Sequence, residues 1–407
     1  MITIIIILLS VMVLLFFAFK TGDVFSPWML TTGVWLAIMV LSLYDTGWLE
    51  PIGSQLYTCV IIWVPVLAFF AMAVYYALPS KEYSFVHEDV DYNHSIFMFF
   101  FVIAVVCTPY MAYKAYKMVM MFGTENMLAN VRQLAILYTK TGDSDGIMKY
   151  VNPIDKALYI VALWNLKKVG KTKFIIILLV NLIYALSVME KSFLFFLFFT
   201  TLYILYEKRK IQLRTIAFWC VGILFIFYGF NFARSNVEAE DFSTFGRFFS
   251  MYVLSPSVAF GRVQEILSDQ FGTRSFTFIY SFADKIFGCD YDIIPKLQEF
   301  VWVPIPTNVY TVFQPFYEDF GYKGVAFFAS VYGIMCGWFY RVFKNGNQIM
   351  RCVYAYIVYV LVLQFFQENL IISISDLFQY IIIYTLMLQD KIHISFTSFF
   401  RKGDKVC

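Results

Sequence analysis

Long apolar runs separated by short polar segments dominate the pattern of this 407-residue chain. A helix needs about 20 mostly apolar residues to cross a bilayer. The clear runs are 2–19, 27–43, 56–78, 95–113, 174–189, 192–206, 215–233, 322–341, 352–369 and 376–390. An additional run, 147–166, is weaker because it contains Lys149, Asp155 and Lys156. The pattern predicts an all-α polytopic membrane protein, with residues 1–407 forming a single integral membrane domain. It has about eleven spans or, as the alternative, ten.

Basic residues in the loops decide between the two span counts, because Lys and Arg concentrate in cytoplasmic loops. With eleven spans, the loop 44–55 faces outward and carries no Lys or Arg, while Lys20 and Lys81 lie inside. With ten spans these assignments reverse and the rule is violated. We therefore expect eleven spans, with the N-terminus outside and the C-terminus inside.

Two sizeable loops face outward under this topology, 114–146 and 234–321. The second is too long to be a passive linker. Within it, 243–269 is apolar on one side and interrupted by Pro256, which is typical of a kinked interfacial or re-entrant helix. A second short amphipathic segment, 275–288, follows it.

Composition agrees with a lipid solvent, since 60% of the residues are hydrophobic and only 14% are charged, with a mean hydropathy of +0.70. The net charge of +3 is too small to indicate nucleic acid as a partner. The run 2–19 lacks a basic segment and a cleavage site, so we interpret it as a retained helix. Scattered cysteines, and the lack of a Gly-rich phosphate loop, predict neither a metal site nor a cofactor.

Arginine is the informative residue of the two outward loops. A guanidinium stays charged and binds phosphate oxygens bidentately, which suits a lipid-linked phosphate or pyrophosphate. The alternative is that each arginine pairs with a local carboxylate or with lipid head groups. Arg247 and Arg262 would share a face of an unbroken helix, although Pro256 weakens that inference. The candidate phosphate-binding residues are Arg132, Arg234, Arg247, Arg262 and Arg274.

The segment "NVYTVFQPFYEDFGYKGVAFF" places two carboxylates, Glu318 and Asp319, at the start of an apolar run. Either could accept the proton of an attacking sugar hydroxyl, so both are candidate catalytic bases. The alternative is a helix N-terminus at which acids oppose the helix dipole. That alternative does not explain the density of hydrogen-bonding side chains upstream. The candidate sugar-binding residues there are Asn308, Tyr310, Thr311 and Tyr317.

Two further polar residues, Glu368 and Asn369, lie at the outer end of the run 352–369. Polar groups within the membrane are candidates for function. These two either line the same cavity or hydrate a turn. The three histidines, His87, His94 and His393, fall on the inner side of the predicted topology, so a histidine base is not expected.

Three segments, "FNFARSN", "FGRFFSMYVLSPSVAFGRV" and "NVYTVFQPFYEDFGYKGVAFFASVYGIMCGWFY", resemble bacterial O-antigen polymerases, the Wzy-type polymerases of oligosaccharide repeat units. The resemblance implies a GT-C-like scaffold in the bacterial inner (cytoplasmic) membrane, with 114–146 and 234–321 as periplasmic loops. It implies inverting, metal-independent glycosyl transfer between undecaprenyl-diphosphate-linked oligosaccharides, the arginines binding the diphosphate and Asp319 or Glu318 acting as base. A chain-length regulator is a further expected partner.

Two other functions fit a multi-spanning protein. A lipid-linked oligosaccharide flippase would carry charges through its spans and inverted repeats between its halves, whereas this chain has few mid-span charges and no visible repeat. An O-antigen ligase would prefer a histidine in the large outer loop, and 234–321 contains none. We therefore predict a polymerase, with a flippase or ligase as the alternative.

Overall fold

The computed structural model shows an all-α membrane protein, with a single pair of two-residue strands among the described residues. Four of the described helices are long and apolar enough to cross a bilayer, and shorter apolar helices accompany them. The span count itself stays a prediction. The structure describes residues 1–43, 49–80, 89–123, 130, 148–188, 191–222, 245–266, 270–289, 291, 293–294, 298, 300–304 and 306–389.

Helices occupy every predicted run, the run 215–233 being described as far as Gly222. The helices are α1 (Ile2–Ala18), α2 (Pro27–Leu41), α3 (Ser54–Ala77), α4 (His94–Val119), α5 (Met148–Trp164), α6 (Leu166–Val169), α7 (Lys171–Val188), α8 (Lys191–Glu207), α9 (Leu213–Gly222), α10 (Phe245–Phe260), α11 (Thr277–Phe287), α12 (Gln314–Lys344), α13 (Gln348–Val362) and α14 (Ile374–Met387); 3-10 turns span Met120–Phe122 and Leu363–Phe365, and the strands are β1 (Val301–Trp302) and β2 (Pro306–Thr307).

Two glycines on α12, Gly333 and Gly337, let this helix lie directly against α3. A Cβ atom added at Gly333 would lie 2.6 Å from the carbonyl oxygen of Leu67, and one at Gly337 would lie 2.8 Å from the Cα atom of Ala71. Small residues one helical turn apart allow the close backbone approach by which helices associate in membranes. The α3–α12 pair therefore forms a rigid frame, and α12 begins where the candidate carboxylates lie.

Helix α13 is the centre of the bundle, since it is buried on all sides between Met350 and Leu361. A helix that is apolar all round belongs inside a larger assembly of helices. It contacts α2, α5, α8, α12 and α14. Its one cation, Arg351, is buried with its Cζ atom 5.6 Å from the ring centroid of Trp164.

The weak run 147–166 forms α5, and its residues from Ala157 to Trp164 are all buried. Lys156 is accommodated because its Nζ atom lies 4.5 Å from the ring centroid of Phe193 and 5.3 Å from that of Phe196. A cation over an aromatic face gains electrostatic stabilisation that offsets part of its desolvation.

Ion pairs between distant segments fall at two opposite ends of the bundle. Lys344, at the end of α12, binds Asp23 in the α1–α2 loop at 2.6 Å, and this end is termed the inner end. Arg262, after α10, pairs with Glu50 before α3, and this end is termed the outer end. The names inner and outer follow the predicted loop charges.

The structure corrects one expectation about the large loop. Helix α10 continues through Pro256 but ends at Phe260, so Arg262 lies outside it, and the idea that Arg247 and Arg262 share a helical face is wrong. The longer part of α12 starts after Gly321, where the apolar run was predicted to begin, and the preceding residues 314–320 are helical as well, because their aromatic side chains have a buried surface to pack against. The candidate carboxylates are consequently on a helical turn.

Candidate active site

The residues leading into α12 rest on an aromatic platform. Phe313 stacks on Trp35 of α2 with ring centroids 4.7 Å apart and meets Trp63 of α3 edge-on at 5.5 Å. Phe316 stacks on Trp63 with ring centroids 5.8 Å apart. Aromatic pairs at such distances contribute about 0.5–1.5 kcal/mol each beyond their buried area. The first turn of α12 is thereby fixed relative to two spanning helices.

One buried amide, that of Gln364, holds this platform together. Its Oε1 atom accepts hydrogen bonds from Nε1 of Trp35 at 3.2 Å and of Trp63 at 3.0 Å, and its Nε2 atom donates to Oγ1 of Thr31 at 3.0 Å. Its carbonyl oxygen accepts from the N–H of Val312 at 2.8 Å. Because buried polar groups are costly when unpaired, this satisfied network specifies a single arrangement of the platform.

Gly321 breaks α12 directly after the two carboxylates. Its φ of 59° and ψ of −149° are outside the helical region and are essentially restricted to glycine. The rings of Phe316 and Phe328 stack with centroids 4.2 Å apart, whereas twelve residues of straight helix would separate them by about 18 Å. The turn that carries Glu318 and Asp319 therefore folds back along the longer part of the helix.

Glu318 and Asp319 bind the same short stretch of the large loop. The Nε atom of Arg274 lies 2.7 Å from Oε2 of Glu318, and Nε2 of Gln314 donates to Oε1 of Glu318 at 2.9 Å. Asp319 accepts the backbone N–H groups of Arg274 at 3.1 Å and Ser275 at 2.6 Å. Both carboxylates thus fix the turn from which α11 starts.

Arg274 keeps part of its hydrogen-bonding capacity open. Its side chain is 16% exposed and that of Glu318 is 9% exposed, so their ion pair is nearly desolvated. Neither Nη1 nor Nη2 makes a hydrogen bond to a residue that the structure describes. These two nitrogens form the fork that binds phosphate oxygens bidentately, so Arg274 is held by one edge while the other can take an anion.

The turn before α11 is stabilised by its own side chains. Oγ1 of Thr273 donates to the carbonyl oxygen of Gln270 at 2.9 Å, and the Tyr280 hydroxyl donates to the carbonyl oxygen of Phe271. Burial raises the pKa of the Tyr280 hydroxyl, and Tyr291 and Asp319 add to the rise, so the hydroxyl remains a donor. The position of Arg274 is therefore set on both sides.

A third carboxylate, which the sequence did not single out, lies at the break in α12. A Cβ atom added at Gly321 would lie 2.7 Å from Oε1 and 3.0 Å from Cδ of Glu265, so the Glu265 carboxylate rests against the backbone there. The N–H of Ile266 donates to the carbonyl oxygen of Glu318 at 2.7 Å. No local sequence pattern marks Glu265, because its neighbours lie more than fifty positions along the chain.

The remaining candidate residues are distributed differently. Tyr310 and Thr311 are buried beneath the surface, and Tyr317 packs edge-on against Tyr322 with ring centroids 5.2 Å apart. Asn308 is half-buried. Arg262 pairs with the distant Glu50 rather than with a local carboxylate. Three predicted arginines cannot be placed at the site, since Arg132 and Arg234 lie outside the described residues, as does the side chain of Arg247.

Glu368, at the outer end of α13, holds a turn. Its oxygens accept N–H groups from Leu370, Ile371 and Ile372, each at 2.7 Å, and the hydroxyl of Tyr332 donates to the same carboxylate. The residue is 8% exposed, so this set of donors is what stabilises the group in the interior. Of the two alternatives for Glu368, the structure favours a role in the turn.

Within the part of the chain that the structure describes, no group of three His, Cys, Asp or Glu side chains is arranged to hold a metal ion. The described chemistry of the cluster is that of one arginine and three carboxylates at the outer end. Such a set can bind an anion and accept a proton, which are the two requirements of a transfer from a phosphorylated donor to a hydroxyl.

Comparison with known proteins places this geometry in context. A curated protein of Escherichia coli (strain K12), named "Putative O-antigen polymerase", is 24% identical to the chain over 239 residues. The alignment covers 56% of this chain and 58% of that protein, so the chain spans little more than half of its relative's length. No family model matches the chain, and no solved structure matches it. The similarity confirms the resemblance to O-antigen polymerases.

Proposed function

We propose that this protein is a glycosyltransferase that polymerises a surface polysaccharide, joining undecaprenyl-diphosphate-linked oligosaccharide repeat units at the periplasmic face of the bacterial inner membrane. The observation that carries the proposal is the cluster of Arg274 with Glu318 and Asp319 at the broken start of α12. The similarity to the protein from Escherichia coli supports the same function. The outer loops 114–146 and 234–321 are the periplasmic segments in this proposal.

The cluster suits the transfer because it offers a cation to the departing diphosphate and a carboxylate to the proton of the attacking hydroxyl. The growing glycan is the donor, and its bond to the diphosphate breaks as the acceptor hydroxyl of a single lipid-linked unit attacks. Arg274 stabilises the charge on the departing diphosphate, and Arg132, Arg234 and Arg247 are proposed to join it from the outer loops. A carboxylate accepts the hydroxyl proton. The step needs no metal, and displacement from the opposite face inverts the anomeric centre.

The bilayer is part of the substrate-binding arrangement. The lipid chain of undecaprenyl diphosphate stays in the membrane, so its phosphates lie at the boundary where Arg274 precedes the amphipathic helix α11. On that helix, Ile279, Phe282 and Ile286 are exposed and share one face. Such a face lies in the membrane interface. A GT-C-like arrangement and contact with a chain-length regulator complete the proposal.

Deletion of the gene in its host tests the function directly. Polymerisation predicts that the ladder of surface polysaccharide on a gel collapses to a single repeat unit, and that the cloned gene restores it. Loss of all repeats would instead support a flippase or a ligase and would overturn the proposal. Restoration with R132A or R234A should give shorter and less polymer if these arginines help to bind the diphosphate.

A further inference from the structure

We infer that the base accepting the proton of the acceptor hydroxyl is Glu265, while Glu318 and Asp319 position the cluster. The inference rests on the proposed glycosyl transfer. The three carboxylates differ in how many partners they already have within the protein.

The carboxylates of α12 are engaged. Glu318 accepts a hydrogen bond from Nε2 of Gln314 with Oε1 and forms an ion pair with Arg274 through Oε2, and only 9% of its side chain is exposed. Asp319 gives one oxygen to the N–H of Arg274 and the other to the N–H of Ser275. A base must present a lone pair to the hydroxyl at about 2.6–3.2 Å. Asp319 already uses one lone pair of each oxygen and Glu318 is nearly buried, so both are less available to a hydroxyl than an exposed carboxylate without a partner.

Glu265 differs because its backbone is held and its carboxylate is not. Nε2 of Gln55 donates to the carbonyl oxygen of Val263 at 3.1 Å, and the N–H of Ile266 donates to the carbonyl oxygen of Glu318 at 2.7 Å. The side chain is exposed and makes no hydrogen bond or ion pair with any described residue. The residue is therefore positioned from both sides while its oxygens remain available to a substrate.

Gly321 brings this carboxylate to the cluster. Because Gly321 has no side chain, Oε1 of Glu265 can lie 2.7 Å from the position that a Cβ atom would take there, two residues after Asp319 and three after Glu318. Arg274, held by Glu318 and Asp319, and the open carboxylate of Glu265, held at Gly321, are thus attached to the same folded-back turn. This arrangement separates the two tasks, one group binding the diphosphate and the other accepting the proton.

The step balances without a further reactant. The acceptor oxygen forms a bond to C1 of the donor sugar, and the bond between C1 and the diphosphate oxygen breaks with its electron pair leaving on the diphosphate. The proton of the acceptor hydroxyl passes to Glu265. Transfer of that proton to water or to the departing diphosphate returns the carboxylate to its starting state.

Purified full-length protein in proteoliposomes tests the assignment, with lipid-linked single units extracted from the deletion host as substrate. We expect E265Q to lower the initial rate of chain growth by about 10²–10⁴-fold, the usual contribution of a general base. The melting temperature should equal that of the wild type, because the carboxylate bonds to no described residue. D91N, at the exposed inner end, is the matched control and should retain the wild-type rate.

Sodium formate distinguishes a base from a merely structural residue. E265A leaves space for the small carboxylate, so formate should restore part of its rate, whereas E318A should gain nothing. A rate for E265Q within threefold of the wild type, or an inactive E265A that formate does not rescue, would overturn the assignment and leave the polymerase proposal standing. Wild-type protein that fails to extend the units would instead contradict the proposed function.

Discussion

Both ends of the bundle carry charged side chains, but those described below differ in how many of their polar atoms bond within the protein. At the inner end, Asp23 accepts the N–H of Phe25 with Oδ1 and binds Lys344 with Oδ2, and Lys344 also lies 3.9 Å from Glu207. Lys208 binds Asp89 at 2.7 Å and donates to the carbonyl oxygen of Trp164. Each of these groups is bonded to another part of the protein.

At the outer end the charges are only partly used. Arg274 binds Glu318 through Nε while its terminal nitrogens bond to no described residue, and Glu265 presents an exposed carboxylate beside Gly321. Water solvates the exposed Glu265 carboxylate, so its oxygens can be offered to a substrate at little cost to the fold. The comparison contrasts a structural ion pair such as Lys344–Asp23, whose partners bond within the protein, with Arg274 and Glu265, which keep polar atoms open to a ligand.

Replacement of Arg274 should affect polymer formation most. R274A removes the proposed diphosphate contact and leaves Glu318 buried without its cation, so we expect polymer formation to fall by about 10²–10³-fold, as when one charge-stabilising donor is removed. R274K keeps the cation but loses the fork, and should be intermediate with a near-normal amount of folded protein.

The measurement is the polysaccharide ladder of the complemented deletion strain, normalised to the amount of protein in the membrane. R214A is the matched control, because Arg214 is exposed at the predicted inner end and bonds to Gln212. A ladder of wild-type intensity from both Arg274 variants would show that the outer cluster is as structural as the inner one.

Replacement of Gly321 should have the next largest effect on polymer formation. Alanine there must adopt a positive φ and meets the Glu265 carboxylate at 2.7 Å, so the folded-back turn has to shift. A displacement of about 1 Å at a reacting group costs up to about 10²-fold in rate. We expect G321A to lower the initial rate by about tenfold or more and to destabilise the protein by about 1–3 kcal/mol, the range for such backbone strain.

Melting temperatures in detergent and rates in proteoliposomes check this expectation. Combining G321A with E265A relieves the steric part of the destabilisation, so the double variant should melt above G321A alone. Equal melting temperatures for the two would mean that the Glu265 carboxylate does not lie against this residue.

Much of the fold follows from the sequence, because a run of apolar residues near 20 in length has few options besides a membrane helix. The weak run 147–166 also became a helix, with Lys156 over aromatic rings that lie far along the chain. The helical start of α12 could not be predicted from the sequence. Residues 314–320 pack on Trp35 and Trp63, and that surface forms only when the spans are packed together.

The site was predictable in its residue types and not in its pairing. Aromatic density and two adjacent acids marked Glu318 and Asp319, and the outward loops marked Arg274. Which arginine meets them depends on tertiary packing across more than forty residues, as does the meeting of Arg262 with Glu50. Glu265 gave no signal, because an isolated carboxylate in an amphipathic segment is usually a solvated surface group.

The platform beneath the site should have a smaller effect on the rate and a clear effect on stability. Q364L removes the acceptor shared by the indole groups of Trp35 and Trp63 and leaves both N–H groups buried without a partner. Such loss costs about 1–3 kcal/mol. We expect a lower melting temperature and a reduced ladder, less reduced than for G321A. Q364E, which keeps an acceptor, should melt above Q364L, and the reverse order would contradict the hydrogen-bond assignment.

Lys344 should show the smallest effect on polymer formation, and it therefore gives the sharpest test of the contrast between the ends. K344M removes the cation that lies between Asp23 and Glu207, whose side chains are 30% and 5% exposed. Partial exposure places the expected destabilisation between that of a surface pair and a buried one, about 1–3 kcal/mol. The rate per folded molecule should equal that of the wild type, because the proposed substrate site lies at the outer end. A rate loss as large as that of R274A at equal protein level would show that the inner cluster shares in catalysis, and bonding within the protein would then no longer distinguish the two ends.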